Sequence, residues 1–318
     1  MKKYPLRLEY IAKSAIWGGT RLADGWGKVG GGDNIAETWE LSVRPGEMCR
    51  IRNGEAEGMA LSDYFARVGG DAVCPTYRPE DRFPLLVKLI DARDRLSVQV
   101  HPDDAYASRV EGDSGKTEMW YIVDAEEGAT IVYGLKDGVS REEYARSVSE
   151  GRMEDALREI PVRAGESYFI PAGMVHAIGS GILIAEIQQN SDLTYRVWDY
   201  DRRGADGSLR PLHTEKALDV IRPFSAEEVE ALRFARGRED GLLSNSQYFK
   251  VERREIRGTD TVFAFADSFV SVLCIAGEGV LRLEGDSYPL SRGDSYFLPA
   301  GMGMCEAEGE MTLICSGI

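Results

Sequence analysis

The sequence has few of the residues on which several common kinds of site depend. Its five cysteines are an odd number and are scattered without a CxxC pair, so neither a disulfide framework nor a thiolate zinc site is indicated. No segment approaches the roughly 18 apolar residues of a membrane span, and residues 1–5 are followed by no apolar run. We therefore expect a cytoplasmic protein with buried free thiols and no membrane partner.

Positive charge is also scarce. Lysine and arginine number 38 against 53 aspartates and glutamates, so the formal net charge is -15. Because the long-range field of such a chain repels polyanions, we expect no nucleic-acid partner. An anionic small substrate would need a local basic cluster to overcome that field. The length of 318 residues and the 43% hydrophobic content suit one large or two ordinary globular domains, and the sequence carries no prediction of oligomeric state.

The stretch LSVQVHPDD at residues 96–104 is the centre of the predicted site. It predicts a strand, in which successive side chains alternate between the two faces. Gln99 and His101 then point one way, and the neighbouring valines point the other. Pro102 cannot donate to a sheet ladder and ends the strand. An amide and an imidazole therefore reach into the same cavity.

Only three histidines occur in the chain, and two of them belong to the predicted site. Together with Gln99 and Glu118, His101 and His176 are the side chains from which a metal site is built. The alternative for a single histidine is a hydrogen-bonded structural role, and the alternative for Gln99 is a hydrogen bond to a bound water. His213, just before a predicted helix, is expected to be a cap or a surface residue.

The rest of the chain predicts mostly strands, with helical regions between them. Strands are predicted at residues 37–42, 84–90, 96–101, 118–123 and 129–133, and shorter ones between 162 and 189. Helices are predicted at residues 59–68 and 214–221. Two more begin at capping boxes, a helical insert at about 140–159 and a helix at 225–234. Residues 237–241 read as a linker, and short strands with glycine turns follow from residue 248 to the end.

An internal repeat connects the two strand-rich parts. Residues 165–176, GESYFIPAGMVH, match residues 293–304, GDSYFLPAGMGM, at a constant offset of 128. The position of His176 is taken by Met304, and no histidine follows His213. We therefore expect two copies of one β unit, of which only the first has a metal site, with Met304 in the core of the second.

The pattern Gly-x5-Pro-x-Gly-x2-His at residues 165–176 resembles the second motif of the cupin superfamily. The first cupin motif departs from the usual form, because Gln99 stands at its first histidine position and Glu118 comes late. With this departure the chain resembles type I mannose-6-phosphate isomerases in their short bacterial form. The motifs that carry the resemblance are QVHPDD at 99–104, GKTEMWY at 115–121 and TYRVWDYDR at 194–202. WGG at 17–19 and ETWE at 37–40 also resemble N-terminal motifs of that family, so the resemblance covers nearly the whole chain.

This resemblance implies a mainly β fold of two cupin-type, jelly-roll barrels with a helical insert. Residues 1–236 would form the catalytic domain and residues 237–318 a second, metal-free domain that acts as packing support. It also implies the interconversion of D-mannose 6-phosphate and D-fructose 6-phosphate through an enediol, and it makes Arg196 the active-site arginine. Lys116 lies two residues before Glu118, so on a strand it shares that ligand's face and has a supporting or phosphate-contact role.

Several points stay open at this stage. One zinc ion per chain suits two imidazoles, a carboxylate and an amide best, with iron or manganese as the alternatives. The group that transfers the proton is Glu186, Asp192 or a metal-bound water. Other functions compatible with the pattern are another metal-cupin activity, such as a different sugar isomerase or a dioxygenase, and a sugar-phosphate sensor without turnover.

Overall fold

In the computed structural model, which describes residues 2–32, 34–78, 80–204, 207–234 and 241–318, strands form most of the regular structure. The strands are β1 (Leu6–Glu9), β2 (Ile11–Lys13), β3 (Glu37–Leu41), β4 (Val43–Arg44), β5 (Glu47–Met48), β6 (Arg50–Ile51), β7 (Leu85–Ala92), β8 (Val98–Val100), β9 (Glu118–Ala125), β10 (Thr130–Leu135), β11 (Leu157–Pro161), β12 (Ser167–Ile170), β13 (His176–Ile178), β14 (Ile182–Gln189), β15 (Tyr195–Trp198), β16 (Arg233–Phe234), β17 (Leu242–Asn245), β18 (Lys250–Ala264), β19 (Val270–Leu283), β20 (Asp286–Ser291), β21 (Ser295–Leu298) and β22 (Gly303–Gly317). The α-helices are α1 (Arg21–Asp24), α2 (Leu61–Val68), α3 (Asp104–Glu111), α4 (Arg141–Ser149), α5 (Thr214–Val220) and α6 (Ala226–Ala231).

Two facing sheets enclose the space in which the predicted ligands meet. One has five strands in the order β11-β10-β13-β8-β15, and the other has seven in the order β16-β12-β9-β14-β7-β3-β2. Ile131 and Ile178 of the first sheet pack with Ile122 and Ile184 of the second in one buried cluster. The architecture is the mainly β, cupin-like fold that the sequence predicted.

The predicted alternation along β8 is confirmed. Val98 and Val100 are fully buried and pack with Ala217 of α5 on the outer face of the five-stranded sheet. Gln99, between them, faces the inside and lines the cavity described below. Burial of the valines on one side therefore fixes which side chains the strand presents to the other.

The seven-stranded sheet is covered on both faces, because its second face packs on the C-terminal part of the chain. Leu85 and Ile187 of this sheet belong to the same core as Val251 and Leu313. Double coverage explains why every residue of β7 and of β14 is buried. Three layers of sheet therefore stack, with the predicted site between the first and the second.

The C-terminal sheet has eight strands, with order β17-β18-β22-β19-β21-β1-β6 and β20 added beside β19. The prediction of short strands from residue 248 onward is wrong, since β18 and β22 each run for 15 residues. The N-terminal strands β1 and β6 join this sheet, with Leu6 opposite Phe297 and Leu8 opposite Ile51. The division of the chain at residue 236 stays a prediction, and the predicted linker lies outside the described residues except for Gly241.

The internal repeat is visible in the strands themselves. β12 and β21 begin and end at positions that differ by the offset of 128. The expectation for Met304 is wrong, because its side chain is 59% exposed. Its neighbour Cys305 is fully buried, and alternation along β22 therefore turns Met304 outward.

The helical predictions hold at their starts better than at their ends. Ser140 and Ser225 each form a capping box with the glutamate three residues later, as predicted. However, α4 ends at Ser149, where Gly151 follows with a φ of 68°, and β11 pairs with β10 where helix was predicted. Likewise, the helix predicted at residues 225–234 ends early, and β16 pairs with β12 in its place. None of the helices in the described ranges has the length and apolar character needed to cross a membrane.

Candidate active site

The predicted metal ligands come from strands of both facing sheets. In the five-stranded sheet, β13 and β8 pair so that His176 lies opposite Gln99, and His101 follows directly after β8. In the seven-stranded sheet, Glu118 opens β9 and lies opposite Gln188 of β14. The chain turns away after His101, where the Asp103 side chain caps α3 by accepting from the Tyr106 N–H. Each ligand is thus placed by ladder pairing or by a strand end.

His101, Glu118 and His176 form a compact, buried group that could hold a metal ion. The Nε2 atoms of the two histidines are 3.1 Å apart. His101 Nε2 lies 3.4 Å from Glu118 Oε2, and His176 Nε2 lies 3.3 Å from Glu118 Oε1. Ligands at about 2.0–2.1 Å from one tetrahedral zinc ion are separated by about 3.3 Å. The spacing of the three donors therefore fits a divalent metal.

The hydrogen bonds around these residues leave the atoms that face one another available to bind a metal. His176 Nδ1 lies 2.8 Å from the carbonyl oxygen of Met174, so a proton on Nδ1 leaves the Nε2 lone pair directed at the group. Among the described residues, neither oxygen of Glu118 accepts a hydrogen bond, although both are buried. Lys116 Nζ lies 3.1 Å from Oε2 and balances part of the charge of this carboxylate, and the lone pairs of Oε1 are left to coordinate a further cation. The donor set thus fits a metal in chemistry as well as in spacing.

The electrostatics hold the three residues in metal-binding protonation states. Burial, followed by the charge of Lys116, lowers the pKa of His101 to about 3. Burial also lowers the pKa of His176. For Glu118 burial opposes ionisation, but Lys116 and the two imidazoles hold its pKa well below the usual value. Neutral imidazoles and an ionised carboxylate are the forms that ligate metals.

Gln99 and Lys116 lie at the edge of this group. The Gln99 amide nitrogen is 3.4 Å from His176 Nε2, and rotation of the amide by 180° presents the oxygen there instead. Lys116 Nζ is 3.1 Å from His101 Nε2 and 3.1 Å from Glu118 Oε2. Lys116 is thus beside Glu118, as the two-residue spacing predicted.

A polar cavity of about 310 Å³ opens beside the ligand group. Its lining includes five residues singled out from the sequence, which are Gln99, Lys116, Glu186, Asp192 and Arg196. It also includes Arg210. The volume is at the lower end of the range of about 300–1,000 Å³ for small-molecule pockets. The space therefore suits a small polar molecule.

Three charged side chains of the cavity lining, Lys88, Glu186 and Glu37, lie in a row. Lys88 Nζ lies 3.2 Å from Glu186 Oε2 and 3.7 Å from Glu37 Oε2, and Trp120 Nε1 donates to Glu186 Oε1 at 2.9 Å. Burial, followed by the charge of Glu118, raises the pKa of Glu186. Burial opposes the charge of Lys88, but Glu186 and Glu37 outweigh it and raise its pKa.

Sequence reasoning named Glu186 and missed its ion-pair partner Lys88 and the second carboxylate near Lys88, Glu37. Lys88 was inside a run predicted as a buried apolar strand, and a lysine in such a run was a signal of a buried ion pair. Glu37 was noted as the first residue of a strand and as part of the ETWE motif, but was given no role in the site. The pairing of Lys88 with Glu186 across β7 and β14 depends on strand order, which no local pattern encodes.

Arg196 is placed by β15, which pairs with β8 so that Arg196 lies opposite Gln99. Its Nη1 donates to the Pro211 carbonyl oxygen at 2.8 Å, and its Nε is buried without an acceptor among the described residues. Burial, followed by the nearby Arg210, lowers its pKa. His213 precedes α5 without a side-chain cap, and its half-buried Nδ1 accepts from the Arg196 N–H at 3.2 Å. His213 is therefore the N-cap residue of α5, in line with the expectation of a cap, but its side chain bonds to Arg196 and not to the helix.

Comparison with known proteins agrees with this geometry. Residues 6–128 match the family model "Phosphomannose isomerase type I, catalytic domain", and residues 240–318 match "Mannose-6-phosphate isomerase, cupin domain". The chain is 37% identical to a mannose-6-phosphate isomerase of Streptococcus mutans, with 98% of each chain covered. It is also 37% identical to mannose-6-phosphate isomerase ManA of Bacillus subtilis, with 99% of each covered. A crystal structure of the mannose 6-phosphate isomerase from Bacillus subtilis is similar with a TM-score of 0.87, at 36% identity over 99% of each chain.

Proposed function

The chain belongs to the type I mannose-6-phosphate isomerase family, and from this premise we propose that it interconverts D-mannose 6-phosphate and D-fructose 6-phosphate through an enediol. The observation that carries the proposal is the buried group of His101, Glu118 and His176 beside a small polar cavity with arginines in its lining. An aldose–ketose isomerase needs an electrophile near C1 and C2, a group that moves a proton between them, and a site for the phosphate.

We propose that the metal is zinc, one ion per chain, held by His101, Glu118 and His176 with Gln99 as a fourth ligand. Two imidazoles, one carboxylate and one amide are ligands of intermediate softness that suit zinc. When bound, such an ion supplies positive charge that polarises the carbonyl of the open-chain sugar. The donor set contains no thiolate, and the adjoining cavity leaves room for sugar oxygens.

We assign the proton transfer to the carboxylate of Glu186 in preference to that of Asp192. Both carboxylates line the cavity. Of the two, only Glu186 is buried beside a lysine, and burial raises its pKa, which makes it the stronger proton acceptor. Its Oε2, 3.2 Å from Lys88 Nζ, is the atom that would hold the proton.

Arg196 and Lys116 have the remaining catalytic roles in this proposal. Arg196 is a cation opposite Gln99 whose buried Nε has no acceptor among the described residues, and it would stabilise the negative charge that develops on the enediolate. Lys116 lies against Glu118 and His101 and lines the cavity. Its ammonium would hold the ligand carboxylate in place and add positive charge beside the sugar oxygens.

The rest of the chain has a supporting place in the proposal. Residues 237–318, which contain no histidine, would form a metal-free second domain that packs against the catalytic one. All five cysteines are free, as is usual in a reducing compartment, and we propose a cytoplasmic location on that ground.

The proposal is tested by a coupled assay that follows fructose 6-phosphate formed from mannose 6-phosphate by the purified full-length chain. We expect sustained turnover with mannose 6-phosphate. Binding of mannose 6-phosphate without turnover would favour a sensor, and oxygen consumption with a sugar substrate would favour a dioxygenase. Either result would replace the proposed function.

A further inference from the structure

Arg196 and Arg210 line the edge of the cavity near the buried carboxylate of Asp199, and we call these three residues the arginine cluster. Arg210 Nε and Nη2 donate to the two oxygens of Asp199 at 2.7 Å each, as a fork. Arg202 Nη2 donates to the same carboxylate. Two positive charges, Arg196 and Arg210, against the one negative charge of Asp199 leave the cluster at +1 in a chain of net charge -15, and Arg202 also lies 4.0 Å from Asp94. It is thus the local basic cluster that an anionic substrate requires.

The other cations of the cavity are already balanced. Lys88 is within ion-pair distance of Glu186 and Glu37, and Lys116 is within ion-pair distance of Glu118. Among the described residues, the cations of the lining with donor groups left over are therefore Arg196, whose Nε has no acceptor, and Arg210, which shares the carboxylate of Asp199 with Arg202. An anionic group of the substrate gains most by binding there.

The segment that follows Arg210 is hydrogen-bonded to Arg196. The His213 N–H donates to the Arg196 carbonyl oxygen at 2.7 Å, the Arg196 N–H donates to His213 Nδ1, and Arg196 Nη1 donates to Pro211. The fork to Asp199 fixes the plane of the Arg210 guanidinium and uses only two of its nitrogens. In the described part of the chain its Nη1 has no acceptor, and its side chain is 28% exposed.

Resting on the proposed function, we propose that Arg210 binds the phosphate group of the substrate, and that Asp199 is the positioning residue that aims it. Guanidinium groups bind phosphate through directed, charge-assisted hydrogen bonds. Arg196 is the cross-strand neighbour of Gln99, about one strand spacing of 4.8 Å from it on the side away from His176. An open-chain hexose with C1 and C2 at the metal ligands extends its C6 phosphate in that direction.

Steady-state kinetics of the full-length, metal-loaded chain test this inference, with inorganic phosphate as a competing inhibitor. We expect Arg210→Gln to raise KM for mannose 6-phosphate by about 10- to 100-fold, as loss of a hydrogen bond to a charged group does. The inhibition constant of phosphate should rise by a similar factor, while kcat and metal content stay close to wild type. Arg210→Lys should recover part of the affinity, and Asp199→Asn should shift both constants in the same direction by less.

Arg202→Gln is the matched control, because Arg202 contacts the same carboxylate but does not line the cavity. We expect it to leave KM and phosphate inhibition unchanged. The inference is overturned if Arg210→Gln keeps the wild-type constants, or if Arg202→Gln raises them equally, since the effect would then come from the fold of the segment. If the wild-type chain does not isomerise the substrate, the proposed function fails separately. Calorimetric titration of inorganic phosphate into wild type and Arg210→Gln then still decides whether Arg210 binds the anion.

Discussion

Arg196 and Gln99 are direct cross-strand partners, and His176 is the partner of Gln99 on the other side. The side chains of His176, Gln99 and Arg196 therefore form one row across β13, β8 and β15, from the proposed metal ligands to the arginine cluster. Direct partners on one face of a sheet have Cβ atoms about 4.5–5.5 Å apart. The proposed metal ligands and the proposed anion-binding arginine are thus held at a fixed separation by backbone ladders, which is how a site on a rigid scaffold keeps its geometry.

The assignment of the ligands predicts that His176→Ala loses the metal and the turnover together. His176 Nε2 lies within 3.3 Å of both other donors, and removing one of three close ligands opens the site. Bound metal per chain, measured after gel filtration, checks this. The control is His213→Ala, which should retain the metal because His213 contacts Arg196 and none of the ligands. Full metal content in His176→Ala would remove His176 from the ligand set.

The position of Arg196 predicts a loss of rate without a loss of metal. We expect Arg196→Ala to keep one metal per chain and to lower kcat by about 10²–10³-fold, the usual effect of removing a donor that stabilises a developing oxyanion. Turnover and metal content should be measured on the same preparation. An unchanged kcat would show that Arg196 does not act on the reacting carbons.

Exposure of Met304 predicts that its truncation is nearly neutral. Met304→Ala should change the free energy of unfolding by less than about 0.5 kcal/mol, as surface substitutions do. Leu313→Ala is the matched variant, because Leu313 lies on the same strand and is fully buried. It should cost about 2–5 kcal/mol. Urea unfolding measures both, and a large loss in Met304→Ala would mean that this side chain is buried in solution.

The ion pairs of Asp199 predict a stability contribution that depends on pH. Burial opposes its ionisation, but Arg210 and Arg202 lower its pKa below the usual value. A carboxyl with a lowered folded-state pKa stabilises the fold above its unfolded pKa of about 3.9, and the contribution disappears as the pH falls through the folded value. The difference in unfolding free energy between wild type and Asp199→Asn should therefore be constant above about pH 5 and shrink below about pH 4. A difference that does not vary with pH would contradict this.

Much of the site could be predicted from the sequence because the signals were local. Alternation along β8 placed Gln99 and His101, and the repeat identified His176 and its strand. Lys88, Glu37 and Arg210 were missed because their contacts depend on which strands pair and where a distant segment returns. The predictions of the C-terminal end of α4 and of a buried Met304 were wrong for a related reason, since tertiary pairing outweighs local preference there.

Removal and return of the metal tests the central claim most directly. The chain should be assayed with mannose 6-phosphate as purified, after chelation, and after titration with zinc, with bound metal measured at each step. We predict that activity disappears on chelation and returns in proportion to bound zinc, saturating at one ion per chain. Full activity in the chelated, metal-free chain would contradict the account.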